Sequence, residues 1–284
     1  MISAADLRGD KPTWCPGCGD FAVLAALQRA LPRLGVEREN IVIVSGIGCS
    51  GKISSYLRTY GFHGVHGRTL PVATGIKVSN PDLVVIAAGG DGDGYAIGVS
   101  HFIHAARRNV DVTYIVMDNH IYGLTTGQTS PTSPRGFKSK TTPAGAAEEP
   151  VDPLALALAS GAGFVAQGFS GEVGQLAAIC EQALRYKGFS LVNVISPCVS
   201  FNREYSYDWF RERLVNIDDE TDYDPGDYAA AMRYVTEHRG LVRGVVYTSD
   251  RPGYVESLVG RRRPVDVDWR QPAEHWQELV AEFS

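Results

Sequence analysis

The segment GGDGDG, residues 89–94, stands directly after the apolar run LVVIAA that begins at Leu83. A second segment, MDNHIYGLTTGQ, begins at Met117 and closes the run Val112 to Met117. Each run reads as a buried strand, and Tyr95 to Arg108 between them reads as a helix. Strand, glycine turn, helix, strand is a βαβ unit, which requires parallel strands and a right-handed crossover. That unit decides the fold class: α/β, with a mostly parallel sheet flanked by helices.

In open parallel sheets ligands sit beyond the carboxyl ends of the strands. Asp91 follows the first strand and Asn119 the second, so adjacent strands would bring their oxygens together. The helix expected to start near Asp93 offers free backbone N–H groups to a phosphate. Two oxygen ligands beside a bound phosphate suit Mg²⁺, which takes few protein oxygens and completes its octahedron with phosphate and water. A nicotinamide dinucleotide is the competitor. GGDGDG fits the G-x-G-x-x-G pattern poorly, and its aspartate would repel a pyrophosphate that lacked a metal. A turn merely rich in Gly and Asp is the bland alternative for the first segment alone; the Asp-Asn after the next strand counts against it.

The same periodicities extend outward. Phe21 to Leu34 reads as a helix with Asp20 as a candidate N-cap, and Ile41 to Val44 as a strand ending at Ser45-Gly46. Residues 119–150 are rich in Gly, Thr, Ser and Pro and read as a long loop, which inside a compact domain is usually functional or disordered. Beyond it come a helix over Pro153 to Ala159, a strand over Gly163 to Ala166, a helix over Val173 to Tyr186 and a strand over Phe189 to Ile195. After Phe201 the composition turns aromatic and charged, as in YSYDWFRERL, so residues 1–205 are expected to form the core domain. Residues 206–284 are expected to form a C-terminal extension packing on the core or on a partner. With 44% hydrophobic and 21% charged residues the chain has the balance of a globular protein. A formal net charge of -5 argues against nucleic-acid binding; the basic run Arg261 to Arg263 reads as a solvated face or a partner contact. MISAADLRGDKPTW contains no apolar leader and no run is long enough for a bilayer, which predicts a soluble, cytoplasmic protein with no membrane contact.

GDG followed some 25 to 30 residues later by an Asn at a strand end resembles the motif of the thiamine-diphosphate enzymes. The resemblance implies that Asp91, Asn119 and the carbonyl of Ile121 hold Mg²⁺ on the diphosphate of thiamine diphosphate. Four cysteines then need an explanation. WCPGCGD supplies Cys15 and Cys18, SGIGCSG supplies Cys49 after one strand, and SPCVSFN supplies Cys198 after another. Cys180, in mid-helix, reads as a buried small apolar residue. Four thiolates near one sheet edge indicate a metal site, and on spacing alone structural zinc is slightly favoured. A neighbouring thiamine diphosphate reverses that preference, because decarboxylation of a 2-oxo acid leaves electrons that an iron–sulfur cluster removes singly and zinc cannot.

Taken together, WCPGCGD, SGIGCS, YGFHGVHGRTLPVATGIK, GGDGDGYAIG, DNHIYGLTTGQTSPTS and SPCVSFN resemble, in order, the β subunits of the 2-oxoacid:ferredoxin oxidoreductases, over about residues 12–205. The resemblance implies a thiamine-diphosphate-binding fold. It also implies one [4Fe-4S] cluster on Cys15, Cys18, Cys49 and Cys198, with Gly48, Cys49, His66, Gly90, Gly92, Asp93, Gly123, Leu124 and Thr125 around the cofactor. The family's reaction is reversible: 2-oxo acid, coenzyme A and oxidised ferredoxin give acyl-CoA, CO₂ and reduced ferredoxin. The glutamate that meets the aminopyrimidine ring has no well-placed counterpart here, since Glu148 and Glu149 fall in the long loop. An α subunit is therefore expected to supply it, in an αβ or (αβ)2 assembly. His66, Arg68 and Lys52 are the candidate catalytic residues, and His63 reads as structural. LTTGQTSPTS is expected at the substrate end, with Thr125, Thr126 and Gln128 as donors. ISSY and IYGLTTGQ resemble the members acting on 2-oxoglutarate, whose second carboxylate Lys52, Arg68 or the α subunit would meet. The alternatives are a pyruvate or broad-range β subunit, or a clusterless thiamine-dependent decarboxylase subunit with structural zinc.

Overall fold

The computed structural model describes residues 2–258 and 263–267, with residues 276, 280 and 281. Its strands are β1 (Ile41–Ser45), β2 (Tyr60–His63), β3 (Val84–Gly90), β4 (Val112–Asp118), β5 (Phe164–Phe169), β6 (Phe189–Ile195), β7 (Val215–Asn216) and β8 (Val242–Thr248). They form one sheet in the order β2-β1-β3-β4-β6-β5-β8-β7. β1 to β6 pair in parallel, while β8 joins β5 antiparallel. The central strands β4 and β6 are buried along their whole length, as parallel strands covered on both faces must be.

The helices are α1 (Asp20–Ala30), α2 (Ile53–Tyr56), α3 (Thr69–Ser79), α4 (Val99–Arg108), α5 (Pro153–Ala159), α6 (Val173–Arg185), α7 (Tyr207–Arg211) and α8 (Tyr228–Glu237). Apolar residues of α1 and α6 cover one face of the sheet, where Leu27 and Leu176 meet Ile43 and Ile115. Those of α3, α4, α5 and α8 cover the other, where Phe102 and Leu158 meet Tyr114 and Leu191. The chain from 206 onward contributes β7, β8, α7 and α8, so it extends the core sheet itself.

Several local expectations change. β3 runs on through Gly90, and Gly92–Ile97 is a π-helical turn that joins α4 at Gly98. No α-helix therefore starts at Asp93. Asp20 is the first residue of α1 and not its cap: the cap is Gly19, and the buried Asp20 carboxylate accepts from the Ser196 hydroxyl at 2.9 Å. β2 and α3 carry no clear periodicity in the sequence; all four residues of β2 are exposed, which erases the alternation of a half-buried strand. Residues 119–152 contain no helix or strand. Of the basic run, Arg261 and Arg262 lie outside the described residues, and Arg263 pairs with Asp82 and Asp266. Among the described residues no helix is long and apolar enough to cross a membrane.

Lys77 is nearly buried on α3, and its ammonium bonds Asp111 at 2.8 Å and the Leu83 carbonyl at 2.7 Å. Asp111→Ala strands that charge and is expected to cost about 3 kcal/mol, since breaking one half of a buried pair is worse than losing both. Lys77→Met, which keeps the packing and removes the charge, is expected to cost less. Denaturant midpoints at unchanged slope measure both effects.

Candidate functional site

The carboxyl ends of β1, β3 and β4 open into a cavity of about 250 Å³. Its walls come from residues 47–50 after β1, 90–93 at the end of β3, and Asn119 and residues 121–125 after β4, with Met117, Asp20 and His66 completing it. All twelve residues expected from sequence around the cofactor line it: Gly48, Cys49, His66, Gly90, Asp91, Gly92, Asp93, Asn119, Ile121, Gly123, Leu124 and Thr125.

Asp91 is 2% exposed. Its Oδ2 accepts from the Ser130 hydroxyl at 2.5 Å and the Thr132 hydroxyl at 2.8 Å. The Thr132 oxygen also stands 2.7 Å from Oδ1 of the buried Asp118. Burial first, and then the Asp118 charge, push Asp91 up to about 7, while the two hydroxyls and His120 act in the opposite sense. Two buried carboxylates therefore meet at this end of the sheet, at a cost that burial and their proximity impose on the charged form. Beside them the Asn119 side-chain oxygen accepts from Ile121 N–H at 3.1 Å, while the Asn119 and His120 carbonyls accept from Asn202 and Ser133. QTSPTS, expected at the substrate end, instead sends Ser130 and Thr132 beneath Asp91. The hydroxyl cluster is visible in the sequence, but its direction is not.

The four cysteines share a second cavity, of about 180 Å³. Cys15 is exposed, Cys18 and Cys49 are half-buried and Cys198 is buried. The Trp14 indole N–H bonds the Cys49 carbonyl at 2.7 Å and anchors the loop. Burial and then the Asp20 carboxylate push the Cys18 thiol far up and the Cys49 thiol up to about 11, with Lys52 opposing at Cys49. Among the described residues no three His, Cys, Asp or Glu side chains are grouped so as to hold one metal ion. The two cavities have Cys49, Asn119, Gly123 and Leu124 in common. A Cβ added to Gly123 would stand 3.7 Å from the sulfurs of both Cys49 and Cys198.

The candidate catalytic residues separate. His66 lines the first cavity and bonds Asp93 at 2.8 Å. Lys52 lines the cysteine cavity and bonds the Thr13 hydroxyl at 3.2 Å. Arg68 lines neither, because its guanidinium bonds the carbonyls of Gly67 and Ile97. His63 bonds the Gly51 carbonyl at 2.8 Å behind the loop. Gln128 is held by Thr125. Glu149 pairs with Arg135 outside both cavities. Asp20, which reads as a cap in the sequence, is a cavity residue that sequence reasoning misses; among the described residues its buried Oδ2 meets no hydrogen-bond partner.

Residues 46–194 match the family profile described as "Thiamine pyrophosphate enzyme, C-terminal TPP binding domain". Residues 198–262 match the profile for the C-terminal region of the pyruvate ferredoxin oxidoreductase beta chain. The protein is 49% identical over 214 residues to the 2-oxoacid:ferredoxin oxidoreductase subunit beta of a Sulfolobus species, across 75% of this chain and 70% of that one. It is 45% identical over 209 residues to the 2-oxoglutarate oxidoreductase subunit KorB of Mycobacterium tuberculosis, across 72% and 56% of the two chains. Among solved structures it resembles the 2-oxoglutarate:ferredoxin oxidoreductase of Magnetococcus marinus, with a TM-score of 0.91, 38% identity and coverage of 100% of this chain and 96% of that one.

A Cβ on Gly92 would run into the Tyr122 ring. Gly92→Ala is expected to destabilise the chain by about 1–3 kcal/mol through overpacking. Tyr122→Leu in the same chain is expected to restore part of the loss, and thermal melts of the single and double variants measure that coupling.

Proposed function

Since the chain belongs to the β subunits of the 2-oxoacid:ferredoxin oxidoreductases, we propose that it is the cofactor- and cluster-bearing half of a cytoplasmic 2-oxoglutarate:ferredoxin oxidoreductase. It would convert 2-oxoglutarate and coenzyme A to succinyl-CoA and CO₂ and pass the electrons to ferredoxin. The substrate rests on the Magnetococcus marinus enzyme, which is described with 2-oxoglutarate, coenzyme A and succinyl-CoA bound.

Thiamine diphosphate supplies stabilisation of the carbanion left by decarboxylation, and a [4Fe-4S] cluster supplies one-electron steps. Asp91, Asn119 and the Ile121 carbonyl would hold Mg²⁺ on the diphosphate. The support is electrostatic: Asp91 and Asp118 are both buried, and burial and mutual repulsion raise Asp91. A divalent cation brought in by the diphosphate removes that penalty. Cys15, Cys18, Cys49 and Cys198 would hold the cluster. A redox-inert zinc in place of the cluster would give the electrons no route.

The observation that carries the reading is the common wall: Cys49 belongs to both cavities. Lys52, beside Cys49, offsets thiolate charge and is the chain's own candidate for the distal substrate carboxylate. Arg68 is turned away from both cavities and leaves that role to Lys52 or the α subunit. Among the described residues no glutamate lines the cofactor cavity; the α subunit would supply it in an αβ or (αβ)2 assembly.

The test is anaerobic co-purification with the α subunit, followed by metal analysis and visible spectra. About four irons per chain are expected, with bleaching on 2-oxoglutarate plus coenzyme A and not on pyruvate. Cys198→Ser is expected to lose the colour, and Asp91→Ala to abolish turnover with the cluster retained. Bleaching on pyruvate alone would overturn the substrate, and a colourless zinc protein would overturn the ferredoxin-linked reading.

A further inference from the structure

Asp93 lines the cofactor cavity, yet its carboxylate is already committed to the protein. It is 2% exposed. Oδ1 accepts from the Ile47 N–H at 2.9 Å, the Gly67 N–H at 2.8 Å and His66 Nδ1 at 2.8 Å. Oδ2 accepts from the Thr69 hydroxyl at 3.2 Å. An ionised carboxylate has about four lone-pair sites, so little capacity remains for a ligand. One side chain thus ties the loop after β1, the 64–68 segment and the first turn of α3 to the turn after β3.

The His66 bond has a directional consequence. An ionised carboxylate only accepts, so Nδ1 carries the proton and Nε2 faces the opposite way. The ring lies edge-on to Tyr122, with centroids 6.4 Å apart, and the Tyr122 hydroxyl is anchored on the Gly92 carbonyl at 3.2 Å. Held on two sides, the ring has one free nitrogen. His66 lines the cavity, its side chain is 38% exposed, and Nε2 has no hydrogen-bond partner among the described residues.

We infer that Asp93 is a positioning residue for His66: it fixes the tautomer and plane of the ring so that Nε2 hydrogen-bonds the bound thiamine diphosphate. The inference rests on the reading of this cavity as the cofactor site. The sequence points to Asp93 as a contact of the cofactor itself; here it acts through the histidine.

The test uses the αβ complex stripped of cofactor and titrated calorimetrically with thiamine diphosphate in saturating Mg²⁺. His66→Asn keeps an amide N–H within reach of Asp93 and removes the group at Nε2. It is expected to weaken binding roughly tenfold or more, as the loss of one such bond implies, with an unchanged melting midpoint. His66→Gln, whose amide reaches the Nε2 position, is expected to recover part of that affinity. Asp93→Asn is expected to weaken binding too, and the double variant with His66→Asn no further than His66→Asn alone. Wild-type affinity in His66→Asn overturns the inference, as does a double variant whose losses simply multiply. If the wild-type complex binds no thiamine diphosphate, the cofactor reading itself falls and takes the inference with it.

Discussion

The site depends on the register of β3 against β4. Gly90 stands opposite Met117 in that parallel ladder, so Asp91 and Asn119 leave the sheet edge side by side, one and two residues further on. A parallel pairing shifted by one residue would turn one of the two segments to the other face of the sheet, because side chains alternate with a period of two. The register is held by burial: β4 is enclosed throughout, with Ile115 and Met117 in one core and Tyr114 and Val116 in the other.

Around that pairing the molecule concentrates negative charge where water is scarce. Asp20, Asp91, Asp93 and Asp118 are all buried at one end of the sheet, and they are treated differently. Asp93 is satisfied by four donors from the protein. Asp91 is met by two hydroxyls, which a cation can displace or share. Asp20 accepts from the Ser196 hydroxyl, and burial raises it to about 6 against the lowering effect of Ser196 and Cys18. The sequence GGDGDG presents Asp91 and Asp93 as near equivalents; the fold makes one available and uses up the other.

That difference marks the limit of what is legible from the residues. The parallel core and the paired positions of Asp91 and Asn119 can be read because strand periodicity and glycine turns are local signals, whereas the remaining lining of the cavity is implied only by the family resemblance. β2, α3, β7 and β8 cannot be read, because their own residues carry no clear period and their pairing or packing decides them. β8 pairs with β5 across more than seventy residues, and β2 is an exposed edge with no apolar face. Arg68 and Lys52 look equivalent as nearby cations; only the loop path, which turns Arg68 onto the Ile97 carbonyl and Lys52 toward Thr13, separates them.

Gly123 is one of the four residues that line both cavities. It carries no side chain, and a Cβ there would come into ordinary contact, at 3.7 Å, with the sulfurs of Cys49 and Cys198. A longer side chain at that position would have to take up space in one of the two cavities that it lines. A position left bare in this way keeps both chambers open at the place where they meet.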